Sequence, residues 1–404
     1  MNKRVVITGL GVVSSIGIGW KEFWKNLLAG RSGIGPVTSF DTTEHFTHNG
    51  GEVKQFRAGD FIAPSRLCNF SRASQMALAA AMLAVKDAQI DAAALQALRA
   101  GVCVGTNIGS IQTVEIIDEI MVREKTHKID RTLLSQIPTN TTAAVVAREF
   151  GLHGPCMMFS TACAAGNYAI GYGYDLIRQG KVDLVLAGGA DAFSKVAFTG
   201  FNQFKAVAPE KCQPFDKNRK GMMVAEAAGV LLIESLERAH ARSAMIYGEI
   251  TGYGLSCDAY HMTASSVEGV AECMRKALRE AGCTPDDVDY ISAHGTGTPT
   301  NDRNECAAIR EVFGGRYKSI PTSSIKSIIG HTMGAASALE AIACALVVKY
   351  GIIPPTINFE TADPECDIDC VPNQARQKQV AIALNNSYAF GGNNASLVIR
   401  NYLN

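Results

Sequence analysis

The sequence has no net charge, because its 38 lysines and arginines balance 38 aspartates and glutamates. Without a charge excess the chain has no global attraction for nucleic acid or for an anionic membrane surface, and we expect neither as a partner. Tryptophans number only two, and no run approaches the about eighteen uninterrupted apolar residues of a transmembrane helix. Any acidic partner must therefore be recognised by a local basic patch.

Paired-cysteine motifs are also missing. The twelve cysteines are scattered, none forms a Cys-x-x-Cys pair, and the chain is far longer than a small disulfide scaffold. The opening segment MNKRVVITGLGVVSSIG begins like a signal peptide, but Thr8, Gly9 and Gly11 interrupt its apolar run, which favours a buried first strand. We predict a cytoplasmic protein with reduced thiols and no metal.

What the sequence does contain is a regular alternation of short β-branched runs and longer amphipathic segments. This pattern is typical of α/β domains with buried, largely parallel sheets. The predicted strands are 5–10, 101–105, 182–188, 229–234, 246–252, 288–293, 320–324 and 380–385.

The two halves of the chain resemble one another. The segments VDLVLAGGADAF from Val182 and VDYISAHGTGTP from Val288 share a Val-Asp start, a short apolar strand and a Gly-rich exit, which indicates an internal duplication. We predict an N-terminal half over residues 1–240 and a C-terminal half over residues 241–404. A segment of about residues 110–149 is predicted to be an inserted lobe of helices and loops. Ligand sites in such sheets lie beyond strand ends, so the Gly-rich exits of both halves should share one site.

Cys163, in FSTACAAGNYAIGYGYDLI, is the first candidate for chemistry. A lone cysteine is usually a small buried hydrophobe, and the other eleven are interpreted in that way. Cys163 differs because small residues surround it at the predicted start of a helix. The positive end of a helix lowers a thiol pKa and its free N–H groups can hold an oxyanion, so we expect a nucleophile beside an oxyanion site.

A nucleophilic thiol needs partners, and two of the eight histidines stand out by context. His294 opens HGTGTPTND after a predicted strand, and His331 lies in SSIKSIIGHTMGAAS. A loop histidine alone is more often structural. If the duplicated halves bring these turns together, however, one thiol and two imidazoles share a pocket suited to acyl transfer.

Taken in order, these motifs resemble those of the elongating, class II β-ketoacyl-acyl carrier protein synthases of the thiolase-fold superfamily, including type II polyketide ketosynthases. The resemblance covers nearly the whole chain, and its motifs are KRVVITGLGVVS, STACAAG, SCDAYHMT followed by SSVEG, AHGTGTP, SSIKSIIGHTMGAAS and NNSYAFGGNNASLVI. It implies a thiolase-like α/β fold of two duplicated βαβ-rich halves, layered α-β-α-β-α. It also implies decarboxylative condensation of a Cys163-bound acyl group with malonyl-acyl carrier protein, in fatty acid or type II polyketide or polyene elongation.

The resemblance gives each motif residue an expected role. Cys163 would accept the acyl group, and His294 and His331 would face the malonyl thioester carbonyl. The backbone N–H groups of Cys163 and Phe390 would form the oxyanion hole. Lys326 would be a further catalytic residue, with Glu305 as the acid that pairs with it.

Substrate contacts follow in the same way. No free cofactor is expected. The phosphopantetheine arm of acyl carrier protein would be held by four side chains: Lys205, Thr263, Thr296 and Thr298. Ile108 would floor the acyl pocket and Phe390 would gate it. Lys205 stands where an arginine is expected, which removes a bidentate fork.

The carrier is acidic, so a local basic surface should dock it. Candidates lie in the segment PSRLCNFSRAS and in the inserted segment: Arg66, Arg72, Arg123, Lys125, Lys128 and Arg131. A charge run is usually only a solvated face. The resemblance also implies a dimer, either of identical chains or with a subunit like a chain-length factor, in which strand 182–188 lies in the half whose sheet continues across the two-fold axis.

One departure from the family pattern points to specialisation. Ala389 stands where Gly-Phe-Gly-Gly would have its first glycine, which should restrict the gate. A thiolase is disfavoured because YAFGGNN lacks the second cysteine that thiolases carry there, and a non-catalytic chain-length partner would lack Cys163. A malonyl-carrier decarboxylase or a non-elongating acyltransferase of the same fold remains an alternative.

Overall fold

A computed structural model describes residues 2–402. Residue 1 of the predicted half 1–240 and residues 403 and 404 of the predicted half 241–404 lie outside the described residues. The strands are β1 (Val5–Ser14), β2 (Gly17–Ile18), β3 (Gly35–Pro36), β4 (Asn49–Gly50), β5 (Ala100–Gly105), β6 (Cys156–Phe159), β7 (Leu184–Asp191), β8 (Ala227–Ser235), β9 (Gly248–Cys257), β10 (Tyr290–Ser292), β11 (Thr322–Ser323), β12 (Ile352–Ile353), β13 (Arg376–Gln377), β14 (Ile382–Tyr388) and β15 (Asn393–Arg400). Each of the eight predicted strands overlaps one of these.

The helices alternate with the strands along the chain. They are α1 (Trp20–Leu28), α2 (Pro64–Leu67), α3 (Arg72–Asp87), α4 (Ala92–Gln96), α5 (Ile111–Glu124), α6 (Arg131–Leu134), α7 (Thr141–Phe150), α8 (Ala165–Arg178), α9 (Lys195–Gln203), α10 (Leu236–Ala241), α11 (Val267–Glu280), α12 (Pro299–Phe313), α13 (Lys326–Ile329) and α14 (Ala336–Tyr350). The segment 110–149 contains α5, α6 and most of α7, and α7 packs on α3 and β5 as part of the core.

The main sheet has eleven strands and repeats one pattern twice. Its path is β6-β5-β7-β8-β1 and then β9-β15-β14-β10-β11, with β2 beside β1. The strands of each set can be numbered in the order in which they occur along the chain: β1, β5, β6, β7, β8 in one set and β9, β10, β11, β14, β15 in the other. In both sets the second strand in chain order pairs parallel with the third and the fourth, and the fifth pairs antiparallel with the fourth and the first. Three residue pairs between β1 and β9 join the sets. The fold is therefore a duplication.

Two details of the sequence interpretation are wrong. The sheet is mixed rather than largely parallel, because β8 and β15 run against both of their neighbours. Strand burial on both faces produces the same apolar runs in either direction, so the pattern could not distinguish them. The similar segments from Val182 and Val288 are not equivalent either, because β7 is the fourth strand of its set and β10 is the second.

Five layers position the site. Helix α3 covers β1 and β8 on one outer face, and α11 covers β9 and β15 on the other. Helices α8 and α14 lie between the two sheet halves and touch each other. A Cβ on Gly166 would lie 2.7 Å from the backbone nitrogen of Ala338, so this glycine permits their close approach.

One helical stretch, Met333–Tyr350, is long and apolar enough to cross a membrane, with a mean hydropathy of 1.4. In the structure 89% of it is buried inside the protein. A helix that is apolar on every side is the normal filling of a central layer. Its composition is explained by the contacts of α14 with β8, β14 and β15.

Candidate active site

Cys163 lies in a tight turn at the entrance to α8. The turn Ala162–Ala164 is a short 3₁₀ segment, and Ala162 before the cysteine has a φ of 48°. A non-glycine residue in the left-handed region costs on the order of 1–3 kcal/mol and marks functional turns. The strain presents the thiol at the helix entrance, where the sequence predicted it.

The second half of the chain repeats this turn at the entrance to α14. Met333–Ala335 is also a 3₁₀ segment, and Met333 has a φ of 53°. In the alignment of the two turns, Thr332-Met333-Gly334-Ala335 corresponds to Thr161-Ala162-Cys163-Ala164. Gly334 therefore occupies the position equivalent to Cys163.

His331 precedes the second turn, and this turn fixes its tautomer. The backbone N–H of Met333 donates to His331 Nδ1 over 3.1 Å, so the proton of the neutral ring is on Nε2. The main chain of His331 is held on both sides, by the carbonyl of Met223 at 2.7 Å and by the amide of Ala225 at 3.0 Å. The ring is thus prepared as a hydrogen-bond donor.

His294 follows β10 and is anchored through its backbone. The carboxylate of Glu305 accepts from the amides of His294 and Gly295, each at 2.8 Å. In the described part of the chain no group pairs with His294 Nδ1, although this atom is buried. The ring packs edge-on against His331 with centroids 5.6 Å apart.

The structure brings the predicted thiol and both imidazoles together. The donor atoms of Cys163, His294 and His331 lie within 4.8 Å of one another, and all three residues are buried. Burial, with Lys326 as a second cause, lowers the pKa of each histidine well below 6.5, so both rings are neutral. Neutral rings can donate hydrogen bonds to developing negative charge.

The lowered thiol pKa expected from the helix end is not found at Cys163. Burial raises the pKa of Cys163 to about 12, although Lys326 and the cysteine's own backbone N–H oppose the rise. Desolvation of the charged sulfur outweighs the helix end, and a sequence pattern does not report depth of burial. A nucleophilic role of this thiol therefore requires that it lose its proton during attack.

A cysteine with two histidines is also a donor set that zinc accepts. The hydrogen bond from Met333 to His331 Nδ1 opposes this, because it keeps the proton on Nε2 and leaves that nitrogen without a free lone pair. The arrangement is better suited to holding an oxyanion than a cation.

Lys326 lies behind the histidines and is fully buried. Its Nζ pairs with Glu340 of α14 and not with Glu305, which corrects the sequence interpretation. Burial raises the pKa of Glu340 to about 7, and Lys326 opposes the rise. Glu305 is occupied by two backbone amides, and its position in sequence gave no sign of this.

A cleft of about 270 Å³ leads from the surface to these groups. Its lining includes eight of the predicted residues: Cys163, Lys205, Thr263, His294, Thr296, Thr298, His331 and Phe390. The hydroxyls of Thr296 and Thr298 lie 2.8 Å apart near the mouth. Ile108 is not part of this lining, and its backbone amide donates to Asp191.

The turn after β14 forms one wall of the cleft. Phe390 is 37% exposed and contacts the rings of Phe201 and Phe204. Gly391 and Gly392 have φ of 82° and 79°, so the turn depends on glycine there. No group in residues 2–402 accepts from the amide of Phe390, which leaves this amide free for a substrate oxygen.

Ala389 lies just before this turn. Its φ and ψ of −125° and 153° are ordinary extended values, so the observed conformation does not require glycine. Its methyl is buried against Cys163, Ala164 and Ala395. The methyl therefore limits movement away from this state.

We expect Ala389→Gly to loosen the gate and to broaden acyl acceptance. Glycine adds backbone freedom of about 0.5–1 kcal/mol, so condensation with poor acyl carriers should rise ~2–5-fold while malonyl decarboxylation stays unchanged. Rates with short, long, saturated and polyunsaturated acyl carriers test this. Ala395→Gly removes a methyl from the same cluster outside the turn, and an equal change in that variant would assign the effect to lost packing.

The predicted docking residues differ in their surroundings. Arg72 is held by Glu226, with nitrogen to oxygen distances of 2.6 and 2.8 Å, and Arg66 pairs with Glu149. Arg123 pairs with Glu119 on the same helix. Three others are exposed on one short surface segment: Lys125, Lys128 and Arg131. The structure does not bring Arg72 to the cleft.

Sequence reasoning missed several groups at the site. Glu340 and Asp191 are buried carboxylates that hold other site groups, and Tyr388 lines the cleft beside His294 with centroids 5.6 Å apart. Phe201 and Met222 complete the apolar wall. An acidic residue within an apolar helix or at the end of an apolar strand, as Glu340 and Asp191 are, was the available signal.

The chain matches two family descriptions in order. Residues 2–239 match "Beta-ketoacyl synthase, N-terminal domain", and residues 247–360 match "Beta-ketoacyl synthase, C-terminal domain". The 3-oxoacyl-[acyl-carrier-protein] synthase 2 of Staphylococcus aureus (strain COL) is 40% identical and aligns over 99% of both chains. The protein of the same name from Synechocystis sp. is 38% identical over 99% of this chain and 98% of its own.

Solved structures give the same result. The ishigamide ketosynthase/chain length factor is 45% identical with a TM-score of 0.97 and covers 100% of both chains. A type II PKS acyl-carrier protein in complex with its ketosynthase (AntDE:AntF) is 33% identical, with a TM-score of 0.92 over 100% of both chains. These matches span both halves of the duplicated sheet and confirm the resemblance found in the motifs: the chain belongs to the beta-ketoacyl synthase family.

Proposed function

We propose that this protein condenses an acyl group held on Cys163 with malonyl-acyl carrier protein and releases 3-oxoacyl-acyl carrier protein and CO₂. The observation that carries this proposal is the cluster of one thiol and two neutral imidazoles within 4.8 Å at the end of a cleft. The named relatives are 3-oxoacyl-[acyl-carrier-protein] synthases, which supports the same activity. The enzyme is an acyltransferase of the ketosynthase class.

His294 and His331 act on the extender unit. When the bond between the malonyl methylene and its carboxylate breaks, CO₂ leaves and the electron pair moves to the thioester carbonyl oxygen as an enolate. Imidazole N–H groups aimed at that oxygen stabilise charge that is fully developed only in the transition state. The fixed Nε2 proton of His331 is prepared for this before the substrate arrives.

Cys163 acts on the acyl unit. Its sulfur attacks the acyl thioester of the carrier, its proton passes to the imidazole of His294, whose Nδ1 has no partner in residues 2–402, and then to the departing carrier thiol, and the acyl group stays on the enzyme. The enolate carbon then attacks that carbonyl, and the carbon–sulfur bond breaks. The amides of Cys163 and Phe390 hold the oxyanion in both steps.

The cleft mouth receives the phosphopantetheine arm of the carrier. Thr263, Thr296 and Thr298 supply hydroxyls and Lys205 a cation at the entrance. Lys326 and Glu340 hold the layer behind the histidines, and Glu305 anchors His294. The reaction is redox neutral, so the substrates on the carrier suffice without a bound cofactor.

Carrier docking and location complete the proposal. The exposed cations Lys125, Lys128 and Arg131 offer an acidic carrier a basic edge, with Arg66 and Arg123 beside acidic neighbours. The enzyme works in the cytoplasm on soluble carrier substrates. The predicted halves, 1–240 with the nucleophile and 241–404 with the histidines, each supply part of this one site.

Intact-mass analysis of the carrier tests the activity. The protein is incubated with malonyl carrier and a panel of acyl carriers, and we expect 3-oxoacyl carrier with loss of CO₂. Formation of acetyl carrier alone would instead identify a decarboxylase, and acyl exchange between carriers alone an acyltransferase. A product only from acetyl-CoA would identify a thiolase.

A finer proposal concerns the pathway. The 45% identity to the ishigamide ketosynthase/chain length factor exceeds the 40% and 38% to the synthase 2 proteins. We therefore favour type II polyketide or polyene elongation, with a subunit like a chain-length factor as partner, over a homodimer in fatty acid synthesis. Preference for unsaturated over saturated acyl carriers in the mass assay would support this, and equal or reversed preference would oppose it.

Assembly can be predicted from the sheet edge. In the half that contains β7 the edge strand is β6, and Met157 on it is 41% exposed. Unpaired edges invite pairing with another chain. We expect a dimer that buries more than roughly 2,000 Å². Light scattering of the chain alone and with its chain-length partner should give a dimer, and Met157→Arg should weaken it; a monodisperse monomer at micromolar concentration in both samples would contradict this.

A further inference from the structure

Asp191, at the end of β7, is a fully buried carboxylate for which the proposed mechanism has no use. Oδ1 accepts from Thr106 Oγ1 at 2.6 Å and from the amide of Ile108 at 3.3 Å. Oδ2 accepts from the amides of Asn107 at 2.7 Å and of Gly334 at 2.6 Å. Among residues 2–402 no cation pairs with it, so four neutral donors alone compensate the charge.

These donors come from two segments that are far apart in sequence. One is the end of β5 and the residues after it, and the other is the turn that contains Met333 and Gly334. In that turn, the amide of Met333 donates to His331 Nδ1. The Asp191 carboxylate thus holds the amide of Gly334, and the neighbouring amide of Met333 sets the tautomer of His331.

We propose that Asp191 is a positioning residue for decarboxylation: by fixing the Gly334 amide against the end of β5, it keeps the Met333 amide on His331 Nδ1 and the Nε2 proton directed at the substrate oxygen. The inference rests on the proposed condensation. It gives β7 a role in the decarboxylation of the malonyl unit, although β7 lies in the same half of the chain as Cys163, which binds the acyl unit.

The carboxylate form is what the cage requires. An asparagine has one acceptor oxygen, and its NH₂ group would face two of the four donors. Whichever way the asparagine amide is turned, at least one buried backbone N–H loses its acceptor and faces another donor, and the segments around the cage must shift to relieve it. A shift of about 1 Å in a catalytic group is enough to cost about 10²-fold in rate.

The test separates the two half-reactions in the full-length protein. For Asp191→Asn we expect kcat for malonyl-carrier decarboxylation to fall about 10²-fold with KM nearly unchanged, while Cys163 acylation, followed by intact mass, stays within a few-fold. Nitrogen-15 NMR of the histidine rings, with His331 assigned by substitution, should change from the pure Nε2–H form to a mixture. Asp216→Asn is the matched control, because Asp216 is equally buried and accepts three amides elsewhere.

Each outcome decides. An Asp191→Asn protein with wild-type decarboxylation and an unchanged His331 tautomer would overturn the proposal, and so would equal losses in both half-reactions or the same loss in Asp216→Asn. If Asp191→Asn does not fold, Thr106→Val keeps the side-chain shape and removes one donor, and the same selective loss is expected at a smaller factor. A wild-type protein that neither decarboxylates nor condenses would instead refute the proposed function.

Discussion

Cys163→Ala is expected to abolish acyl-enzyme formation and to lower condensation by at least about 10³-fold, while malonyl decarboxylation continues. The two steps separate because the thiol holds only the acyl group, whereas the enolate oxygen belongs to His294 and His331. Intact mass of the enzyme after incubation with acyl carrier reports acylation, and acetyl carrier reports decarboxylation. The buried core thiol Cys103 supplies the control, and Cys103→Ala should remain acylated on Cys163.

Two results would contradict this assignment. An acyl adduct on the Cys163→Ala protein would mean that another residue is the nucleophile. Loss of decarboxylation together with condensation, in a protein whose fold is intact, would mean that the thiol takes part in the extender step.

His331→Ala should have the opposite effect on the two half-reactions. Removal of one preorganised donor typically costs 10²–10³-fold, about 3–4 kcal/mol, so decarboxylation should fall by that factor while Cys163 is still acylated. His331→Gln returns an N–H donor and should recover part of the rate. His240→Ala, on the surface beside Tyr402, is the control and should leave both steps unchanged.

The same histidines predict the pH profile. Burial lowers the pKa of both rings well below 6.5, so they stay neutral as the pH falls from 8 to 6. Protonation of these rings should therefore not limit decarboxylation between pH 8 and 6, where the carboxyl groups of Glu340 and Asp191 change charge instead, because burial raises their pKa values to about 7 and about 6. Ring titrations followed by nitrogen-15 NMR distinguish the groups, and a midpoint near 6.5 for His294 or His331 would contradict this prediction.

The sequence predicted the parts of this site that depend on local pattern. Strand exits rich in glycine located His294 and His331, and small residues at a helix entrance located Cys163. Properties that depend on depth and on the partner segment were out of reach. The raised thiol pKa and the Lys326–Glu340 pair follow from how α8 and α14 pack between the sheets, and neither residue spacing nor composition reports that packing.

Strand direction was out of reach for a similar reason. A strand covered on both faces has an apolar sequence whichever way it runs, so β8 and β15 were located but not oriented. Duplication was recognised from two segments that are not equivalent. The true equivalents at the site, the turns before α8 and α14, share a backbone more closely than a sequence.

Those twin turns explain why a molecule built from two copies has one reactive centre. A Cβ at Gly334 would lie 2.5 Å from the backbone of Thr106 and Asn107, so no side chain can stand where Cys163 stands in the other copy. A second thiol cannot therefore be introduced by mutation at the equivalent position, because Gly334→Cys would disrupt the turn instead of creating a second acyl site. One copy carries the thiol that holds the acyl group, and the equivalent turn of the other copy only positions the groups around it. The two turns therefore provide a single site for an acyl group.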